Sequence, residues 1–381
     1  QLVSGTTAQD LTVDNINTTS INSGQTSGRK NLIINGAMQV AQRGTSATNS
    51  GYGTVDRFRV QYSGTDEAPT QEQVDVASGT TPYTLGFRKA LRITNGNQTS
   101  GAGTSDSTHF QYYAESQDIA NSGWNYLSSS SFVTLSFWIK SSVAQNFQGR
   151  VRTRDGTSQN YAFETGSLSA DTWTKITKTI PGNSNLQFDN NTEKNLQTDI
   201  FAFLGTDDTS SAVSLDTWAA YASGTQVKDV TSTWYTTNNA TLEITGVQLE
   251  VGSTATDFEH RTFGEELALC QRYFFKVQGD SGDRVGIGGY STQASEARFD
   301  AVFPVTMRSN PTLSGAGTAQ FDSTPDSADF NCSSLTIDST PTGLVSSIGL
   351  QIGGTSSMTG GTSGGIRFRS NSSSITFEAE L

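Results

Sequence analysis

Apolar and polar residues alternate along most of this chain, the period of a strand with one buried face. In Val133-Thr-Leu-Ser-Phe-Trp-Ile-Lys140, Val133, Leu135, Phe137 and Ile139 share one parity and Trp138 takes the other. Phe58 and Val60 pair in the same way, as do Leu91 and Ile93. Asp199-Ile-Phe-Ala-Phe-Leu204 is apolar on both parities, as a central strand or a subunit contact requires. Leu242 and Ile244 share a parity, whereas Val247, Leu249 and Val251 share the other, which predicts a β-bulge at Gly246. Asn31-Leu-Ile-Ile-Asn-Gly36 reads as a strand running into a turn, and Pro181-Gly182 and Gly205 to Asp208 supply further turn signals.

One stretch changes period. Thr262-Phe-Gly-Glu265 is a capping-box pattern. Glu265 and Glu266 suit a helix start, and Arg272 and Lys276 suit its end. Leu267, Cys270 and Phe274 fall on one helical face. Strand alternation then resumes at Phe299, Ala301, Phe303 and Val305, where Pro304 on the opposite parity predicts an edge strand. It recurs at Ile348, Leu350 and Ile352, and at Ile375, Phe377, Ala379 and Leu381.

The expected fold is all-β. A jelly-roll β-sandwich over residues 31–262 leads through a helical junction at 263–276 into a smaller β-sandwich over 277–381. Residues 1–30 are polar, with sparse apolar positions at Leu11, Val13, Ile16 and Ile21. They read equally as an extended leader or as short strands that need neighbouring copies.

Composition sharpens this picture. Charged residues make up only 16% of the 381 and the net charge is −12, with 24 basic against 36 acidic side chains. Such a balance repels phosphate backbones and anionic lipid surfaces, and no basic run is longer than Arg29-Lys30 or Arg88-Lys89. Neither nucleic-acid binding nor membrane insertion is expected. Cys270 and Cys332 stand in no metal-ligand spacing and read as buried thiols.

Catalytic chemistry finds little support. With only His109 and His260, no histidine-based zinc pattern exists. His260 reads as a structural hydrogen-bonding residue, and His109, beside Tyr112 and Tyr113, as a packing or surface residue with a glycan contact as its alternative. Asp207-Asp208 and Glu265-Glu266 read as solvated turn and helix-start charges, because glycoside hydrolysis needs two carboxyls facing across a cleft. No catalytic residue, metal or cofactor is therefore expected. Trp and Tyr rings stack on the C–H faces of sugars, so the candidate glycan-binding residues are Trp124 and Tyr126, then Trp218 and Tyr221. Trp138 and Trp173, inside expected strands, read as packing residues.

Several segments in order carry a family resemblance. They are Asn31-Leu-Ile-Ile-Asn-Gly-Ala-Met-Gln-Val-Ala-Gln-Arg-Gly-Thr45, Tyr52-Gly-Thr-Val-Asp-Arg-Phe58, Val133 to Ser141, Asp171-Thr-Trp-Thr-Lys-Ile176, Gly246 to Ser253, Phe258-Glu-His-Arg261 and Glu265 to Phe274. Together they resemble phage tail-fibre and virion appendage proteins with a carbohydrate-binding-module-like jelly roll. Phe303 to Thr312 and Phe377-Glu-Ala-Glu-Leu381 are similar to the tips of such fibres. The resemblance implies a non-enzymatic structural protein, a homotrimer displayed on the virion after assembly in the bacterial cytoplasm. Its N-terminal segment would bind other virion proteins and its exposed surface a host cell-surface glycan. Some related modules bind calcium through an acidic residue after the Asn-Gly turn, but Ala37-Met38-Gln39 offers no carboxylate there. An architectural head fibre, capsid decoration or tail-collar protein is the alternative, and a glycan depolymerase a minor one.

Overall fold

The computed structural model describes residues 20–21, 24–25, 30–315, 319–323, 328–339, 345–354 and 358–381. Of the N-terminal segment, β1 (Ser20–Ile21) and β2 (Gly24–Gln25) form one small antiparallel pair. The rest of the expected attachment segment lies outside the described residues.

The first body is two face-to-face antiparallel sheets built from β3 (Ser46–Ala47), β4 (Phe58–Ser63), β5 (Thr70–Asp75), β6 (Lys89–Thr94), β7 (Ser107–Glu115), β8 (Phe132–Ser141), β9 (Asn146–Arg152), β10 (Gln159–Ser167), β11 (Thr174–Pro181), β12 (Lys194–Leu204), β13 (Trp218–Ala220) and β14 (Thr241–Val251). One six-stranded sheet runs β13-β10-β9-β12-β7-β4 and the other β11-β8-β14-β6-β5-β3. The predicted inward residues close the core between them: Val133, Leu135, Phe137 and Ile139 are all buried, facing Phe110, Phe147, Phe163 and Ile200. Three short helices, α1 (Thr81–Thr84), α2 (Ser116–Ala120) and α3 (Thr233–Thr236), occupy the connections.

Gly246 lies at the predicted bulge. The β14–β8 register shifts between Thr245 and Gln248, and Gly246 takes φ +61°. Asn31-Gly36 is correspondingly a turn-rich segment laid beside this bulge rather than a strand. Leu32 donates to the Leu249 carbonyl (2.8 Å) and Val247 donates to that of Gly36 (2.9 Å). The Asn31 side chain fills the interval, donating to the Val247 carbonyl (3.1 Å) and accepting from the Leu249 amide (3.0 Å). The side-chain amide thus restores bonds that the bulge removes from the ladder.

Helix α4 (Phe263–Gln271) starts at the predicted capping box, with Thr262 and Glu265 bonded reciprocally. It stops earlier than expected. Arg272 is its C-cap, and Lys276 belongs to β15 (Phe274–Gly279), because the chain must turn extended to pair with the final strand.

The C-terminal part is the expected smaller β-unit, and its sheet closes on itself. β16 (Arg284–Gln293), β17 (Glu296–Met307), β19 (Ala319–Ser323), β20 (Ala328–Ser339), β21 (Val345–Gly354) and β22 (Ser363–Phe368) form a barrel in the order β16-β17-β21-β20-β19-β22. A three-stranded sheet, β15-β23-β18, adds β18 (Thr312–Ser314) and β23 (Ser373–Glu378). Phe299, Phe303, Phe321, Leu350, Ile366, Phe368 and Phe377 fill this core. β17 is not an edge strand. Pro304 is tolerated because it falls in the gap between Val302 and Met307 where the β21 register shifts, so no ladder bond needs its missing N–H. Cys270 is a buried free thiol, and the surroundings of the Cys332 side chain lie outside the described residues.

The two bodies are joined by buried charge. Arg57, with no exposed side-chain surface, pairs with Glu380, and its second amino group donates to the Tyr113 carbonyl at 2.7 Å. Arg43 lies within 3.5 Å of Asp56 and 3.3 Å of Glu380, its guanidinium 3.7 Å from the centre of the Phe274 ring. Glu115 receives Arg272 (2.8 Å) and the Tyr273 hydroxyl (2.6 Å).

Candidate functional site

The side chains proposed from sequence divide. Trp124 is a core residue, 3% exposed, with its ring N–H on the Ser131 carbonyl at 3.3 Å. Trp218 is 9% exposed, packs on Tyr161 and donates to the Pro181 carbonyl at 2.7 Å. Neither offers a ring face to a sugar, which corrects the expectation for both. The physical reason is that their polar-looking neighbours are turn residues that let the indoles fold inward. Tyr126 is half-buried and packs edge-on against Phe188. Tyr221 is half-buried too, with the Arg152 guanidinium 3.4 Å from its ring centre. These residues do not converge on one surface, but Tyr221 belongs to one that sequence reasoning missed.

That surface is the outer face of the β13-β10-β9-β12-β7-β4 sheet. Phe58, Val60, Phe110, Tyr112, Phe147, Val151, Tyr161, Phe163 and Ile200 point into the core, so the alternate residues point out. Strand register aligns them in rows. Tyr113, Gln197, Arg152 and Asn160 form the first. Arg59, Gln111, Asp199, Arg150 and Ala162 form the second. Gln61, His109, Phe201, Gln148 and Glu164 form the third.

Asp199 is the hub. It is fully buried and accepts from Gln111 (2.9 Å), Gln197 (2.7 Å) and Arg150 (2.5 Å). Burial pushes its carboxyl up, but Arg150, His109 and these hydrogen bonds outweigh burial and hold it below the usual range. His109 is driven the other way. Burial lowers its pKa to about 4, Arg150 and Arg59 add to this, and Asp199 only partly opposes. The ring is therefore neutral at pH 7, its centre 4.9 Å from that of Phe201 and its plane tilted by 42°.

The connection after β12 folds back over part of this face. Phe201, Ala162, Leu204 and Val227 form a small apolar cluster beneath it, and Gln226 bonds Arg150 and Asp208. Beyond this cover the face is open. Lys194 is exposed there, and Arg59, Arg152 and Arg154 are half-buried. Among the described residues, none of these cations forms an ion pair. Lys194 Nζ, Arg154 Cζ and Arg59 Cζ lie 5.4, 5.7 and 5.9 Å from the Tyr113 ring centre. Buried polar atoms of this face also lack a hydrogen-bond partner: Arg59 Nε, His109 Nδ1, Gln148 Oε1 and Asn160 Oδ1.

The absence of a long basic run in the sequence was misleading. Arg150, Arg152 and Arg154 recur at every second residue, and the sheet register brings Arg59 and Lys194 beside them. Period-two arginines in an acidic chain were the available signal.

Concavities also lie elsewhere among the described residues. A cleft of about 270 Å³ on the opposite sheet is lined by Phe87, Trp138, Lys175, Asp257, Phe258 and His260. His260 is fixed there by the Leu85 carbonyl at 2.9 Å, in line with its expected structural role. An apolar groove lined by Ala268, Leu269, Val305 and Thr306 runs between α4 and β17. Among the described residues no group of His, Cys, Asp and Glu is placed to hold a metal ion. The adjacent acid pairs do not face one another across a cleft. Glu265 caps α4, whereas Glu266 is buried against the Asn35 amide and Arg261. Asp207 accepts from Thr104 and Asp208 from Gln226.

No family model and no curated protein matches the chain. Among solved structures it is similar to a CBM4 module, with 14% identity over 57% of this chain and 97% of that one, at a TM-score of 0.29. It is also similar to the CBM22-1 xylan-binding domain of Paenibacillus barcinonensis Xyn10C, with 10% identity over 62% of this chain and 100% of that one, at 0.30. A third is the enzymatically active domain of bacteriophage CBA120 tailspike protein 4, with 9% identity over 58% of this chain and 21% of that one, at 0.30. Likeness at this level fixes no ligand for this chain.

Proposed function

We propose that this chain is a non-catalytic virion appendage protein of tail-fibre type, whose jelly-roll body binds host surface glycans. One observation carries the glycan part: an open sheet face that gathers Tyr113 and Tyr221 with arginines, a lysine and side-chain amides. Sugars are recognised by this mixture of ring faces and planar polar groups. Binding without turnover fits the carboxylates available. The rows of this face hold only Asp199 and Glu164, two strands or roughly 10 Å apart. Asp199 is buried and held ionised, so it lacks the proton a general acid must give.

The virion assignment and the homotrimeric state rest on the ordered sequence motifs. Repeated weak sites on one particle gain through effective concentration, so no single site needs high affinity. The architectural alternative draws on the ion network that locks the two bodies together, which suits a spacer.

The test is adsorption interference. Purified protein at micromolar concentration should slow attachment of the parent particle to its host and bind polysaccharide from that host without releasing new reducing ends. Attachment unaffected by the protein, with no polysaccharide bound, would favour the architectural reading. New reducing ends would make it an enzyme.

A further inference from the structure

Resting on that glycan-binding reading, we infer that the open end of this face selects acidic sugars: it seats the carboxylate or phosphate of a charged glycan residue among Arg59, Arg154 and Lys194, over Tyr113.

The argument is electrostatic. These cations gather around one ring and form no ion pair in a protein whose net charge is −12, where a neutralising acid was abundantly available. Like charges held this close repel, and stability alone does not explain them. Arg308 adds to the group. It is anchored by the carbonyls of Thr192, Ala379 and Glu380 at 2.8 to 2.9 Å and spends no carboxylate. The repulsion shows in Lys194, whose ammonium is pulled below its usual pKa by burial and then by Arg154, Arg59 and Arg308, with Glu193 opposing.

Two buried acids nearby are already engaged: Asp199 by Arg150, Gln111 and Gln197, and Glu115, opposite Lys194 in register, by Arg272 and Tyr273. An incoming anion therefore meets donors whose one exposed acidic neighbour among the groups acting on Lys194 is Glu193. Arg154 spends one amino group on Gln197 at 2.6 Å, which holds its plane and leaves the rest of the guanidinium for a carboxylate or phosphate. Arg152 of the first row, packed on Tyr221 from the connection after β13, gives the neighbouring sugar a flat flank.

A nucleic acid is disfavoured by scale. It carries a charge at every residue, and beyond this small cluster it would meet a surface dominated by acidic groups. A glycan with one charge per repeat does not.

The experiment is a binding assay of the full chain on bacterial surface polysaccharides immobilised in three forms. These are native, carboxyl-reduced (uronates made neutral) and dephosphorylated with hydrofluoric acid. A single-stranded DNA oligonucleotide is run beside them. Acidic polysaccharides should bind, and one of the two treatments should cut binding at least tenfold, which names the anionic group. K194Q, an exposed change that leaves the fold intact, should weaken native binding several-fold, and R59Q with K194Q should weaken it further. Carboxyl-reduced and dephosphorylated forms binding as well as native glycan would overturn this inference while leaving glycan binding in place. So would K194Q and the double variant binding like the parent. DNA bound as tightly as glycan would overturn it in favour of a general polyanion patch. No polysaccharide bound in any form would remove the underlying glycan reading as well.

Discussion

The guanidinium of Arg57 lies 3.4 Å from the centre of the Tyr273 ring. Arg57 belongs to the first body and Tyr273 to the segment that leads into the second, so this contact is where the two meet. Arg57 also pairs with Glu380, which follows the last strand of the chain. Both side chains are buried, and removing one partner strands the other charge in a poorly solvated place. Glu380→Ala should cost about 3–5 kcal/mol. Chemical denaturation should then show separate transitions for the two bodies, where the parent shows one. A single, unshifted transition in the variant would mean that the pair is not what couples them.

Gly246 is doubly constrained. Its φ of +61° disfavours any side chain, and an added Cβ would stand 2.6 Å from the Phe87 ring. Gly246→Ala should therefore destabilise by about 2–4 kcal/mol, combining backbone strain with overpacking. Pairing it with Phe87→Leu should recover the overpacking share only. Full recovery would show that the left-handed backbone costs nothing there.

Acid stability should depend on His109. Its folded pKa is about 4, against roughly 6.5 when unfolded. The unfolded chain takes up this proton first, so the stabilisation is complete above about pH 6.5 and drains as pH falls toward 4. Asp56 works in reverse. Burial, only partly offset by Arg43 and Gln42, raises it to about 6, so acidification from there favours the folded state. The comparison that isolates the histidine is His109→Gln. The variant's melting temperature should fall less steeply than the parent's between pH 6.5 and pH 4. Parallel curves would contradict the assignment.

The tryptophans give a check on the corrected site. Trp124→Ala should cost about 3–5 kcal/mol, because it empties a buried ring volume. Glycan affinity of the remaining folded protein should stay unchanged. Tyr221→Ala should do the opposite, leaving the melting temperature nearly in place and weakening glycan binding. Loss of binding in a folded Trp124 variant would restore that residue to the site.

Much of the framework was legible from period alone. The inward set of β8, the bulge at Gly246 and the capping box at Thr262 are local features, decided by neighbours in sequence. The Asn31–Gly36 segment misled because its apolar run is satisfied by a side-chain splint, a device that hydropathy does not show. The barrel closure was likewise invisible, since alternation looks the same in an open sheet and a closed one. The candidate face was lost for a related reason. Arg59, Tyr113, Arg152 and Lys194 sit on four different strands, and only strand order makes them neighbours. Aromatic residues in polar surroundings drew attention to Trp124 and Trp218 instead, whose side chains the turns conceal.

The pair between Arg57 and Glu380 spans 323 positions of sequence. On a ribosome, Arg57 emerges long before its counter-ion exists, and the jelly roll must mature around a cation still waiting in water. Docking of the two halves is thereby postponed until Glu380 itself has emerged. Each module has time to sort its own strands, and the seal between them becomes a late proof that both were made correctly.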